Sequence, residues 1–270
     1  MGSKTLAILG YSGFIGYRIC KNLSKSFKII KIDRNLKLKK KNKIDYLICC
    51  SGPNKYWCLE NKNFVNQKSN NFSKKIIEFC KKNHVKNLIY FSSIQVLKKN
   101  DRKMKPYINW HKNLELNLKK LKIKKKIIRL PNLFGKPHIT KKNFWNFFIN
   151  FVIKSCISNK IIEIRNNPNQ IIYAMPLNFF VKIIKKEINK KFLKLNKIIN
   201  LNKHFKFKTS ELIHTIERTL EKKNLKPKFI TQDDQSKRYF LRKVLNKGKL
   251  KYFNLEMVDL IKFTKKKFVK

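Results

Sequence analysis

Two hydrophobic rhythms alternate over the first half of the chain. Short runs with apolar middles, Thr5 to Leu9, Phe27 to Ile32, Asp45 to Cys50, Asn87 to Phe91 and Lys126 to Leu130, have the length of strands. Between them apolar residues recur every three or four positions. Ile15, Ile19 and Leu23 do so first, then Ile76, Ile77 and Cys80 within Phe72 to His84. Leu114, Leu118 and Leu121 do so within Tyr107 to Leu121. These segments predict helices, and Pro131 stops the last strand.

Strands apolar on both faces and separated by helices predict an α/β fold, a doubly wound parallel sheet. Beyond about residue 135 the rhythm loosens. Phe144 to Ser155, Leu177 to Ile188, Ser210 to Glu221 and Met257 to Lys270 read as helices. Ile161 to Ile164, Ile171 to Met175 and Ile198 to Leu201 read as short strands. No run reaches the roughly 18 apolar residues of a membrane span. Met1 to Leu9 enters a strand-like run without a secretory apolar region.

The net charge of +51 changes the picture less than its size suggests. The chain holds 58 Lys but only 8 Arg, with 34 Ile, 31 Asn and 21 Phe, all types favoured by A/T-rich codons. Lysine is spread along the whole chain, whereas a nucleic-acid surface favours clustered Arg, which forks onto bases and phosphates. Nucleic acid is therefore not the expected partner. The 6 Cys have no C-x-x-C or metal-ligand spacing. They read as buried thiols of a reducing, cytoplasmic compartment, and no metal site is expected.

Candidate chemistry begins at Gly10-Tyr11-Ser12-Gly13-Phe14-Ile15-Gly16, between the first strand and the first helix. This is the context of a dinucleotide-binding turn. Gly10 permits the tight turn, Gly13 lets the backbone approach a diphosphate, and Gly16 lets the helix pack on the strand. The N–H groups of Ser12, Phe14 and Ile15 lie where the helix opens and its dipole is positive. Asp33 follows Gly13 by 20 residues at the end of the second strand, placed to accept from ribose hydroxyls. That favours NAD. Arg34 could instead hold a 2′-phosphate, so NADP stays open.

With its G-x-x-G-x-x-G spacing, the sequence resembles the extended short-chain dehydrogenase/reductase family, the NAD-dependent epimerase/dehydratase group. The resemblance covers about residues 4 to 187. It includes Cys49-Cys50-Ser51-Gly52, Val65-Asn66, Tyr90-Phe91-Ser92-Ser93-Ile94-Gln95-Val96, Tyr107 with Glu115, and Arg129-Leu130-Pro131-Asn132-Leu133-Phe134-Gly135. It implies a Rossmann-like NAD(P)-binding domain over 1–160, with parts of 177–202 returning to it. Residues 161–270 would form mostly a small C-terminal substrate-binding lobe. It also implies that Ser93 and Tyr107 polarise a sugar hydroxyl or carbonyl, Tyr107 taking or returning the proton as hydride moves. Ser51, Gly52 and Pro131 would line the cofactor. Asn132, following a strand end where ligands bind in such sheets, is a candidate substrate contact. The implied function is a nucleotide-sugar epimerase, dehydratase or reductase feeding polysaccharide synthesis. A homodimer is implied as well.

Three departures accompany the resemblance. The family usually carries Lys one helical turn after the tyrosine; here His111 stands there, and Lys112 points about 100° away. His111 can still bond a ribose hydroxyl, and the Tyr-x-x-x-His form resembles that of some sugar-nucleotide members. The resemblance to those members extends to Trp145 after the Gly135-Lys136-Pro137 turn. Only eleven residues separate Asp33 from Asp45, where the family fits a helix and a strand. Ile172 and Tyr173 replace the family's Arg-Asp pair after Gln170. A protein that binds NAD(P) without turnover is therefore the alternative function.

Overall fold

The computed structural model describes residues 4–36, 43–98, 101–138, 144–145, 148–158, 160–164, 167–189, 197–225, 229–231 and 247–268. Residues 37–42, inside the short Asp33-to-Asp45 stretch, lie outside the described residues, as do 269–270 of the expected closing helix. The first elements are β1 (Thr5–Leu9), α1 (Phe14–Leu23), β2 (Lys28–Ile32), β3 (Tyr46–Cys49), α2 (Lys55–Glu60), α3 (Val65–Lys82), β4 (Asn87–Ser93), α4 (Lys105–Lys119) and β5 (Lys124–Leu130). They continue with β6 (Asn132–Phe134), α5 (Phe148–Ile157), β7 (Ile162–Ile164), β8 (Ile171–Pro176), α6 (Leu177–Asn189) and β9 (Lys197–Asn200). The last are β10 (Lys206–Lys208), α7 (Thr209–Glu221), β11 (Phe229–Thr231) and α8 (Lys247–Phe268).

The chain divides into two compact units, Met1–Pro131 with Ile183–Leu201, and Asn132–Lys182 with Asn202–Lys270. Strand β6, just after Pro131, pairs with β8 of the second unit rather than with the first sheet. Ile183–Leu201 of the first unit carries β9 to the sheet edge beside β5.

The first unit is a six-stranded sheet in the order β2-β1-β3-β4-β5-β9. Every pair is parallel, in the registers Leu6 with Ile29, Ala7 with Leu47, Ile48 with Ile89, Ile89 with Lys126 and Ile127 with Ile198. The order reverses direction at β1, which creates the crevice at the strands' carboxyl ends where such sheets bind ligands. On one face Ala7, Leu9, Leu47, Cys49, Leu88 and Tyr90 form a core with Cys58, Val65, Ile76, Phe79, Trp110, Leu114 and Leu118. Leu6, Ile8, Ile48, Ile89 and Phe91 alternate with them and are also buried, so both faces are covered.

Helix α3 begins at Val65, well before the Phe72 expected from apolar spacing. Its first turns are polar but not idle. Ser69 and Ser73 are buried, and their hydroxyls donate to the Asn66 and Asn70 carbonyls. Asn113 and Asn117 of α4 donate across to Asn66, Ser69, Asn70 and Ser73 at 2.9–3.1 Å. Residues four apart on each helix thus meet on facing stripes. Helix α2 was not expected; Asn54 caps it by accepting from the Trp57 N–H at 2.9 Å.

The second unit holds the three-stranded sheet β10-β8-β6 and the parallel pair β11-β7. Helix α8 buries Phe253, Met257, Leu260 and Ile261. Phe253 packs its ring against Phe134 and Phe207. The buried Glu256 carboxylate accepts the Lys136 and Asn178 N–H groups at 3.3 and 2.9 Å.

Candidate active site

The glycine turn lies where β1 ends. Gly10 has φ +81°, a left-handed conformation suited to glycine, and its N–H donates to the Ile32 carbonyl at 3.2 Å. A Cβ on Gly16 would overlap the Gly10 carbonyl and the Tyr11 Cα. That position therefore admits only glycine without backbone movement. Gly13 caps α1, supplies no side-chain acceptor, and the first turn holds no acidic residue. A helix opening of this kind is suited to an anion. Asp33 and Arg34 are exposed just after Ile32, and Asp33 Oδ1 accepts the Asn35 N–H at 2.9 Å.

The loop after β3 closes against this turn. Ser51 lies 3.0 Å from where a Gly10 Cβ would stand, and Trp110 Nε1 is 3.9 Å from a Cβ on Gly52. Trp110 belongs to α4, so the turn, the Ser51-Gly52 loop and α4 form one neighbourhood of the first unit. Pro131, buried, is the last residue of the unit's first segment. Asn132 is exposed, opens β6 opposite Ala174 and belongs to the second unit.

Pro106 lies near the start of α4, where its fixed φ suits a first turn. Tyr107, His111 and Glu115 follow at four-residue spacing and so share a face. Each meets β4. The Ser93 hydroxyl lies near enough to Tyr107 to favour its phenolate, and Ser93 is itself oriented by accepting the Gln95 N–H at 3.2 Å. The Tyr90 hydroxyl lies 2.8 Å from His111 Nδ1. The Ser92 hydroxyl donates to Glu115 at 2.6 Å, and Arg129 of β5 grips both Glu115 oxygens at 2.9 and 2.5 Å. The rings of Tyr107 and His111 stand edge to face, 4.7 Å between centroids. Lys112 is exposed.

Electrostatics at this face are set by burial. It holds the His111 imidazole down at about 4, against the partial pull of Glu115, so the ring is neutral at pH 7. Burial also pushes the Tyr107 phenol up, and the nearby Ser93 hydroxyl opposes it. The cysteines are free thiols, and burial pushes Cys58 and Cys80 up to about 12, which removes them as nucleophiles.

Sequence reasoning placed Ser93, Tyr107 and His111, and the structure brings the three together. It missed Tyr90 and gave no role to Arg129. A tyrosine inside an apolar strand carries a hydroxyl that must find a partner; that was the available signal.

No family model matches the chain, and no curated protein matches it by sequence. Solved structures match over nearly the whole length. A UDP-N-acetylglucosamine 4-epimerase from Methanobrevibacter ruminantium, in complex with UDP-N-acetylmuramic acid, is 18% identical with a TM-score of 0.72, covering 99% of this chain and 100% of that chain. A UDP-glucuronic acid 4-epimerase from Bacillus cereus, in complex with UDP-glucuronic acid and NAD, is 14% identical with a TM-score of 0.69, covering 98% and 100%. An NAD-dependent NDP-hexosamine 5,6-dehydratase involved in tunicamycin biosynthesis is 11% identical with a TM-score of 0.72, covering 97% and 98%. At these identities the likeness shows a shared fold.

Proposed function

We propose that this chain is an NAD-dependent nucleotide-sugar epimerase, dehydratase or reductase of the extended short-chain dehydrogenase/reductase type. The observation that carries the reading is the grouping of Ser93, Tyr107 and His111, with the Tyr107 and His111 rings 4.7 Å apart, at the carboxyl ends of the strands where the glycine turn opens. The fold shared with epimerases and a dehydratase adds to it.

The residues present fit a dinucleotide. The Gly10, Ser12, Gly13, Phe14, Ile15 and Gly16 turn offers backbone N–H groups where α1 opens, packed so closely on itself that position 16 admits only glycine. Asp33 offers a carboxylate to the adenosine ribose, with Arg34 beside it for NADP. Ser51, Gly52 and Pro131 form further wall. His111 Nε2 is buried without a partner among the described residues, a position the nicotinamide ribose would satisfy. Bound NAD supplies a hydride acceptor for one sugar carbon. Ser93 orients the reacting oxygen and stabilises an ionised Tyr107; Tyr107 moves the proton. Asn132 is the proposed substrate contact. The product would feed polysaccharide synthesis in the cytoplasm, and a homodimer is the proposed assembly.

A second reading, dinucleotide binding without turnover, is favoured by one feature. A neutral His111 and an exposed Lys112 leave Tyr107 without a cation of the family's kind. Native mass spectrometry for bound NAD, followed by a UDP-sugar screen for product isomers, separates the two. Turnover that falls at least about a hundredfold in Tyr107→Phe supports the enzyme. Bound NAD without turnover supports the second reading.

A further inference from the structure

Tyr90 and His111 together hold few enough protons to be accounted for singly. Tyr90 is 1% exposed and His111 6%. The Tyr90 hydroxyl meets His111 Nδ1 at 2.8 Å, and His111 Nε2 has no partner among the described residues. A phenol carries one O–H, and a neutral imidazole one N–H and one lone pair. If Nδ1 held the ring proton, it would donate to the phenol oxygen. The phenol proton and the Nε2 lone pair would then both be buried unpaired. If Tyr90 donates to Nδ1, only the Nε2–H is left over. Unpaired buried groups are costly, so the second arrangement prevails.

We infer that Tyr90 is a positioning residue: its hydroxyl donates to Nδ1, fixes the ring proton on Nε2, and makes His111 a hydrogen-bond donor to a hydroxyl of the nicotinamide ribose. The identity of that acceptor rests on the function proposed above; the tautomer does not. Burial, which keeps the ring neutral at pH 7, is consistent with a single ring proton. The arrangement also explains how a histidine can stand where Lys is usual. It contributes direction rather than charge.

The test uses the full chain labelled with nitrogen-15 at histidine, with the His111 signals assigned by their loss in His111→Asn. A two-bond proton–nitrogen correlation at pH 7 is expected to show Nε2 protonated and Nδ1 accepting a hydrogen bond. In Tyr90→Phe the Nδ1 signal should move to that of an unbonded nitrogen. The dissociation constant for NAD should rise about three- to tenfold. That for ADP, which lacks the nicotinamide ribose, should stay the same. A protonated Nδ1 in the wild-type chain overturns the inference whatever NAD does and whether or not Tyr90→Phe folds. Equal loss of NAD and ADP affinity in Tyr90→Phe overturns the ribose assignment. Wild-type protein that binds neither ligand overturns the proposed function, while its spectrum still decides the tautomer.

Discussion

At the residue scale, His111 ties the site to the stability of the fold. An unfolded chain takes up its imidazole proton near pH 6.5, the folded chain only near 4. Between those values the unfolded state binds more protons, so stability falls as pH drops from about 6.5 towards 4. The full difference is about 3 kcal/mol, of which about 2 kcal/mol is lost by pH 5. His204, in the second unit, is lowered by burial and by Lys249, and it adds a slope of the same sign. Urea unfolding of wild type and His111→Asn at pH 7 and pH 5 separates the two. The variant should lose about 2 kcal/mol less than wild type over that interval. Parallel losses would mean that this imidazole is not held neutral by the fold.

At the element scale, α4 is laced to the sheet through Glu115, which joins Ser92 of β4 to Arg129 of β5. Glu115 is nearly buried and Arg129 mostly so. Removing the carboxylate leaves a guanidinium and a hydroxyl unpaired. Glu115→Ala should therefore cost about 3 kcal/mol, whereas Leu116→Ala, at an exposed neighbouring position, should change stability by less than about 0.5 kcal/mol. Denaturant midpoints of the two variants check this, and similar midpoints would show that the network does not brace the helix. Gly16→Ala should be clearly destabilising, since its methyl meets backbone rather than a movable side chain; a cost of about 2–3 kcal/mol is expected in the same assay. Much of the sheet was legible because fully apolar runs admit few environments. The rest was hidden by polar residues with internal partners. Strand β5 begins at Lys124, before the expected Lys126, because Lys125 and Lys126 fold back onto the Leu121 carbonyl and Glu187. The start of α3 was concealed by serines and asparagines that bond one another. Ser93 and Tyr107 were legible through the resemblance, and His111 through its place one helical turn after Tyr107. Tyr90 was not, because its role exists only once β4 faces α4.

At the scale of the whole molecule, charge opposes folding and favours anionic ligands, and salt should pull those effects apart. Of the 15 acidic residues, several are engaged: Asp45 with Thr5 N–H and Lys86, Glu187 with Lys126, Glu115 with Arg129, Glu256 with two backbone N–H groups. With 66 basic residues, most positive charge has no acidic counterpart, and like charges repel more in the folded state than in an expanded chain. The screening length shrinks from about 30 Å at 0.01 M salt to about 10 Å at 0.1 M. Raising NaCl from 0.01 to 0.3 M should therefore raise the melting temperature, by about 5 °C if roughly 2 kcal/mol of repulsion is screened. Over the same range, the affinity for NAD and for a UDP-sugar should fall, because a diphosphate competes with chloride for the same field. Scanning calorimetry and ligand titration across one salt series read both effects. A melting temperature that falls with salt would mean that ion pairs, not repulsion, dominate. An affinity indifferent to salt would mean that the glycine turn, rather than the lysine surface, supplies nearly all the attraction for the diphosphate.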